Sequence, residues 1–158
     1  MVITDKVVRY HWGFLVGPKS ESSQSNPGAR YHVRNRPLSG WVYEELPLSN
    51  VQCSNMLLAR IVIAKIEDMD GLVNIFRTTP CVQNDPKWRC RSWVAEVLER
   101  IRQEGNIVGT SVLSWPEIEQ RARDYVSEKA AEGRYGTGAD MSLPKPTYNL
   151  YMRREVIP

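Results

Sequence analysis

The chain has 158 residues, 42% hydrophobic and 25% charged. That suits one domain, 1–158, with a real core, and it excludes collagen-like, low-complexity and wholly disordered classes. Lys+Arg 21 against Asp+Glu 18 gives a net charge of +3, too mild a basic balance to argue for nucleic acid by itself.

The longest apolar runs, Met56–Ala59 and Ile61–Ala64, are separated by Arg60, so nothing approaches the roughly 20 apolar residues of a membrane span. Met1 to Lys6 carries no basic start followed by an apolar stretch and is not read as a secretory signal. Cys53, Cys81 and Cys90 are an odd number at irregular spacing, which suits reduced thiols in a cytoplasmic setting better than a disulfide scaffold. Arginine dominates the basic set, 15 to 6 lysines, and it is the better residue for bidentate carboxylate and phosphate contacts. There are two histidines, His11 and His32. Composition sets no oligomeric state.

Along the chain, residues 7–17 alternate as a strand, with Tyr10, Trp12, Phe14 and Val16 on one face and Arg9, His11, Gly13 and Leu15 on the other. Gly13 leaves open space beside His11. Residues 18–28 are a polar loop. Residues 29–34 read as a second strand with Arg30, His32 and Arg34 on one face, and 41–45 as a third. Residues 55–66 are apolar on both faces and predict a central strand covered on both sides. A short helix follows over about 68–77, with Met69, Leu72, Val73 and Phe76 inward.

Over 84–105, Asp85 can N-cap a helix with Pro86 in its first turn, burying Cys90, Val94, Val97 and Ile101 and stopping at Gly105. Ser114 and Glu117 form a capping box for a third helix that buries Trp115, Ile118, Ala122, Tyr125, Val126 and Ala130. Residues 133–147 read as loop, and 147–153 as a last extended segment.

Three residues could carry chemistry: His11 and His32 on neighbouring strands, and Cys90 near a helix start. A nucleophilic thiol needs a favoured thiolate and a base within hydrogen-bond reach. A helix N-terminus offers partial positive charge and free N–H groups for an oxyanion, and a third polar group can orient the base. Trp12, Trp88 and Trp93 can wall a pocket near Cys90, and Arg30, Arg34 and Arg89 can receive an anionic substrate. Against this stands the ordinary fate of a cysteine on an apolar helix face, which is core packing. Cys53 and Cys81 read as structural, and the Glu44-Glu45 pair as a solvated strand end. Cys90, His11 and His32 are acceptable zinc ligands, but no short-spaced C-x-x-C or H-x-x-x-H pair accompanies them, so no metal is assigned. No Gly-rich phosphate loop is present. Arg100, Arg102, Arg121, Arg123, Arg153 and Arg154 read as solvated charge, with an RNA backbone contact as the alternative if they cluster.

The H-W-G-F-L-V-G-P-K string at His11–Lys19 resembles the first strand of the permuted papain-like proteins, the NlpC-type superfamily, and within it the lecithin:retinol acyltransferase and H-rev-like branch. In that branch an H-W-x-x-x-x-G strand carries the base, a second histidine follows on the next strand, and an N-C segment opening a helix carries the nucleophile. The resemblance implies His11 as base, His32 as orienting residue and Cys90 as nucleophile, in the permuted order. It spans roughly residues 9–105 and departs at Arg89, where the family has Asn, and at Arg91-Ser92-Trp93, where it has E-H-F.

A longer similarity, through G-x-R-Y-H, W-V-Y-E-E, N-M-L-L-x-R-I-x-I-A-K and W-x-C-x-x-W-V, links the chain to a group of small fungal proteins. The expectation is therefore an α+β domain, a small antiparallel sheet packed on helices in permuted papain-like topology. It would transfer acyl groups through a Cys90 thioester to water or an amine, in fungal specialised metabolism, with no cofactor. Two alternatives stay open: an arginine-containing cyclodipeptide synthase drawing aminoacyl groups from tRNA, and a catalytically silent binding module of the same fold.

Overall fold

The computed structural model describes residues 10–22, 25–54 and 56–158. Residues 7–9 of the expected first strand, with Arg9, and position 55 of the expected central strand lie outside them. The chain folds as α+β. The strand β1 (Gly13–Val16) pairs antiparallel with β2 (Gly28–Arg36), and β2 with β3 (Gly40–Leu48), in the order β1-β2-β3.

Strand alternation gives this sheet two unlike faces. Phe14 lies opposite Tyr31 in the register. Both rings meet Phe76, at 5.1 and 4.6 Å between centroids, and Phe14 also meets Trp93 at 5.8 Å. This inner face is closed by two helices, α1 (Met69–Thr78) and α2 (Cys90–Glu104). Trp93, Val97 and Leu98 of α2 and Phe76 of α1 are almost wholly buried beneath it. The opposite face carries Gly13, His32 and Glu44, aligned in one cross-strand row.

The expected central strand over 55–66 is not one element. It divides into β4 (Arg60–Val62) and β5 (Ala64–Ile66), which belong to different sheets. β4 runs parallel to β7 (Thr147–Asn149), which pairs antiparallel with β8 (Arg154–Ile157); β5 pairs with β6 (Val108–Ser111). The break is visible in the hydrogen bonds: Val62 accepts from Leu150, and Ile63 accepts from Val112. Arg60 explains why the apolar pattern misleads. Its side chain is buried, and its guanidinium donates to Glu21 and to Thr147 Oγ1, a polar anchor inside a run that reads as uniformly apolar. The expected last extended segment, 147–153, holds only β7 and the turn after it, and β8 begins at Arg154.

The helices keep their expected places with corrected details. α1 is N-capped by Asp68, which accepts from the Gly71 N–H at 2.9 Å, and it buries Ile75 while Met69 is exposed. Asp85 does not cap α2. It closes a separate turn, its side chain accepting from the Lys87 N–H at 2.8 Å. The helix begins at Cys90, where Ser92 Oγ accepts from the Arg89 N–H at 3.2 Å, and it ends on Gly105 in the left-handed region at φ 75°. Ser114 occupies the N-cap of α3 (Trp115–Ala131), but its hydroxyl makes no cap bond. In α3, Ala130 is exposed and Lys129 is buried instead, paired with Glu132 and Glu155. Among the described residues no helix is long and apolar enough to cross a membrane.

Candidate functional site

The row Gly13–His32–Glu44 places an imidazole at the centre of the outer face. His32 is 2% exposed. Its Nε2 lies 3.2 Å from Glu44 Oε2, without the alignment of a full hydrogen bond. Its Nδ1 lies 2.7 Å from His11 Nε2. Gly13 makes this possible: a Cβ there would come within 2.8 Å of His32 Cβ, so only glycine leaves the approach open.

Electrostatics favours one pair of tautomers. Burial opposes ionisation of Glu44, but the hydrogen bond and charge of Arg36, with Arg34 behind, overcome it and hold the carboxyl below its usual range. A carboxylate at His32 Nε2 favours a proton on that nitrogen. His32 Nδ1 is then the acceptor, His11 Nε2–H the donor, and His11 Nδ1 an open, unprotonated base. Burial lowers His32, with Arg30 adding to it against the opposing pull of Glu44. His11 is lowered from 6.5 to about 4, first by the loss of water around a ring crowded against its neighbours and then by His32, Arg30 and Arg34. At neutral pH both rings are uncharged.

Cys90 approaches from elsewhere. As the first residue of α2 it puts its sulfur against the stretch that carries His11. The Trp12 N–H donates to Sγ at 3.4 Å, and Sγ lies 3.9 Å from the Tyr10 carbonyl. The two peptide groups flanking His11 thus hold the sulfur. Burial pushes the thiol above its usual range, partly offset by the N–H groups of Trp12, Arg91 and Cys90 and by the Arg91 charge. Among the described residues the sulfur makes no hydrogen bond to the His11 ring, which is turned to His32.

The remaining expected site residues scatter. Trp93 is 0% exposed and belongs to the core, so it walls no pocket; its Nε1–H has no acceptor. Trp12 packs edge-on against Trp115 at 5.0 Å, and Trp88 against Trp41 at 5.1 Å. Arg89 donates to the Trp88 carbonyl and sets the start of α2. Arg34 lies 3.6 Å from Glu44, and Arg30 shares the outer face with His32. Four of the six arginines read as solvated charge have local partners: Arg100 on Thr78 and Thr79, Arg102 on Glu99, Arg121 on Glu128 and Arg123 on Glu119.

Glu44 is the residue that sequence reading misses. Far from being a solvated strand end, it joins His32, Arg34 and Arg36, while Glu45 binds Arg77. The signal was present in the hairpin. His32 and Glu44 stand six residues on either side of Leu38 at its tip, and residues equidistant from a hairpin tip face each other across the strands.

Among the described residues no group of three or more His, Cys, Asp or Glu side chains is arranged to hold a metal ion. No curated protein and no solved structure matches the chain. One family model does, over residues 3–157, and on that match the chain belongs to DUF6914, a family of unknown function.

Proposed function

We propose that the protein is a cysteine-dependent acyl-transfer enzyme of permuted papain-like topology, with Cys90 as nucleophile, His11 as base and His32 as the residue that orients it. The supporting observation is the placement of His11: it sits between the two peptide groups that touch the Cys90 sulfur, although its ring rests on His32 and has to turn from there to meet the thiol.

The resting pair is neutral, because burial raises the thiol and the surroundings lower the imidazole. The reading is therefore general-base catalysis and not a preformed thiolate–imidazolium pair. On substrate docking, His11 Nδ1 takes the thiol proton as Sγ attacks the acyl carbonyl carbon. The N–H groups at the start of α2 receive the developing oxyanion. The leaving group departs with the proton from His11, giving a Cys90 thioester. Water or an amine, deprotonated by the same nitrogen, then resolves it and restores the thiol. Glu44 supports the imidazole chain through His32, as the third member of a triad does.

The deciding experiment is intact-mass trapping of an acyl-enzyme from thioester and activated-ester donors. A mass gain on the wild type, absent in Cys90→Ala and Cys90→Ser with their fold intact, supports the reading. Turnover that survives in Cys90→Ala overturns it. The silent-module reading is favoured by one observation, the 7% exposure of Cys90; it predicts no adduct from any donor. A tRNA-dependent route predicts product formation that stops on RNase treatment, and insensitivity to RNase rejects it.

A further inference from the structure

Most arginines of the sheet and its surroundings have an acidic partner. Arg34 and Arg36 converge on Glu44, Arg60 on Glu21, and Arg77 on Glu45. Arg30 is different. It lies two residues before His32 on β2, and so on the same outer face, in register between Leu15 of β1 and Leu46 of β3. Its Nε is buried and has no hydrogen-bond partner. Among the described residues its guanidinium has no carboxylate partner either.

A buried donor with no acceptor destabilises a fold, and native structures seldom keep one without a use for it. A guanidinium presents planar paired donors that match the oxygens of a carboxylate or phosphate, and beside apolar neighbours such a contact is less screened than in open water. The same face carries the His11–His32 pair, about 7 Å away along the strand by the two-residue repeat.

We infer that Arg30 is an oxyanion subsite that holds a carboxylate or phosphate group of the acyl donor, one strand repeat from the imidazole pair. That the anion belongs to an acyl donor rests on the acyl-transfer reading; the subsite itself does not. A donor of this class has its charged group a few bonds beyond the reacting carbonyl, as a succinyl thioester does.

Two measurements test it. The first is titration of folded wild type, Cys90→Ala, Arg30→Met and Arg30→Lys with inorganic phosphate and, separately, with succinate, followed by calorimetry and by histidine chemical shifts. At least one anion is expected to bind wild type and Cys90→Ala alike, to bind Arg30→Met at least tenfold more weakly, and to bind Arg30→Lys in between. The anion that binds distinguishes a phosphate subsite from a carboxylate subsite. The second compares succinyl and butyryl thioesters, equal in length and different in charge. Wild type is expected to favour succinyl at least tenfold in kcat/KM, mainly through KM, and Arg30→Met to lose that preference. Unaltered anion binding in Arg30→Met, or no binding by the folded wild type, overturns the subsite. Anion binding lost with Arg30 but no turnover of either thioester leaves the subsite standing and removes the acyl-transfer reading. Turnover through Cys90 with no preference for charge does the reverse.

Discussion

His11 Nε2 and His32 Nδ1 are 2.7 Å apart, with the two rings nearly perpendicular at 81°. One proton joins two uncharged imidazoles, and Glu44 at the far nitrogen of His32 favours His11 as the ring that gives it. The first prediction follows from this. His11→Ala should lower turnover by about 10²–10⁴-fold, the ordinary worth of a general base. His32→Ala and Glu44→Gln should lower it less and mainly in kcat, since neither takes the thiol proton in the proposed step. Steady-state kinetics on the three variants checks the ranking; a Glu44→Gln loss equal to that of His11→Ala would make the carboxylate a direct participant.

The state of the thiol gives the second. Burial outweighs the helix-start amides at Cys90 and raises its pKa. Labelling of the free enzyme by a neutral thiol electrophile should therefore be slow at pH 7 and should climb only at alkaline pH. The readout is the pH midpoint of the labelling rate by intact mass. A midpoint below about 7 would mean a stabilised resting thiolate of the kind found in low-pKa cysteines, and the neutral-pair mechanism would fall.

Stability should also respond to acid. Folded His11 has its pKa lowered from 6.5 to about 4, and His32 is lowered too. Between those values the unfolded chain binds more protons than the folded one, so stability is full above about pH 6.5 and declines as pH falls toward 4. Melting curves across that window should show Tm falling with pH, and His11→Asn should flatten the slope. An equal slope in the variant would assign the effect to other groups.

Gly13→Ala probes the cradle. The added Cβ would meet His32 Cβ at 2.8 Å and the Tyr31 carbonyl at 3.0 Å, neither of them the far end of a flexible side chain. Strand β1 or His32 must shift, at about 1–3 kcal/mol for an overpacked site, with turnover falling alongside. Urea unfolding and activity on the same preparation test both halves; a variant unchanged in both would show that β1 yields freely.

Arg60 supplies a prediction away from the site. Its guanidinium is buried and shared by Glu21 and Thr147. Arg60→Ala should destabilise by about 3 kcal/mol, because it leaves a partly buried carboxylate without its cation. A loss below about 1 kcal/mol would place the pair with ordinary surface bridges.

Sequence reading recovered what depends on local periodicity. β2, β3 and the three helices lie close to their expected places, because alternation and 3.6-residue spacing are properties of short windows. His11 and His32 do meet, although His11 lies ahead of β1, which begins at Gly13. Sequence reading lost Glu44 because pairing across a hairpin is a matter of register, and a pair of acidic residues looks the same exposed or engaged. It lost the break at Ile63 because apolar content cannot reveal which neighbour each stretch bonds to. It put Trp93 in a pocket because spacing places a ring on a helix face without telling whether that face meets substrate or Phe14, Tyr43 and Phe76.

β7 lies between β4 and β8, and its partner in β4 is 87 positions earlier, from Arg60 to Thr147. During synthesis the edge of β4 must wait, unpaired, until the ribosome has passed residue 149. The hairpin bearing His32 and Glu44 closes on a loop of only a few residues and has no such wait. Closing a longer loop is the slower event, so the nascent chain should own its histidine platform well before it can bury Arg60.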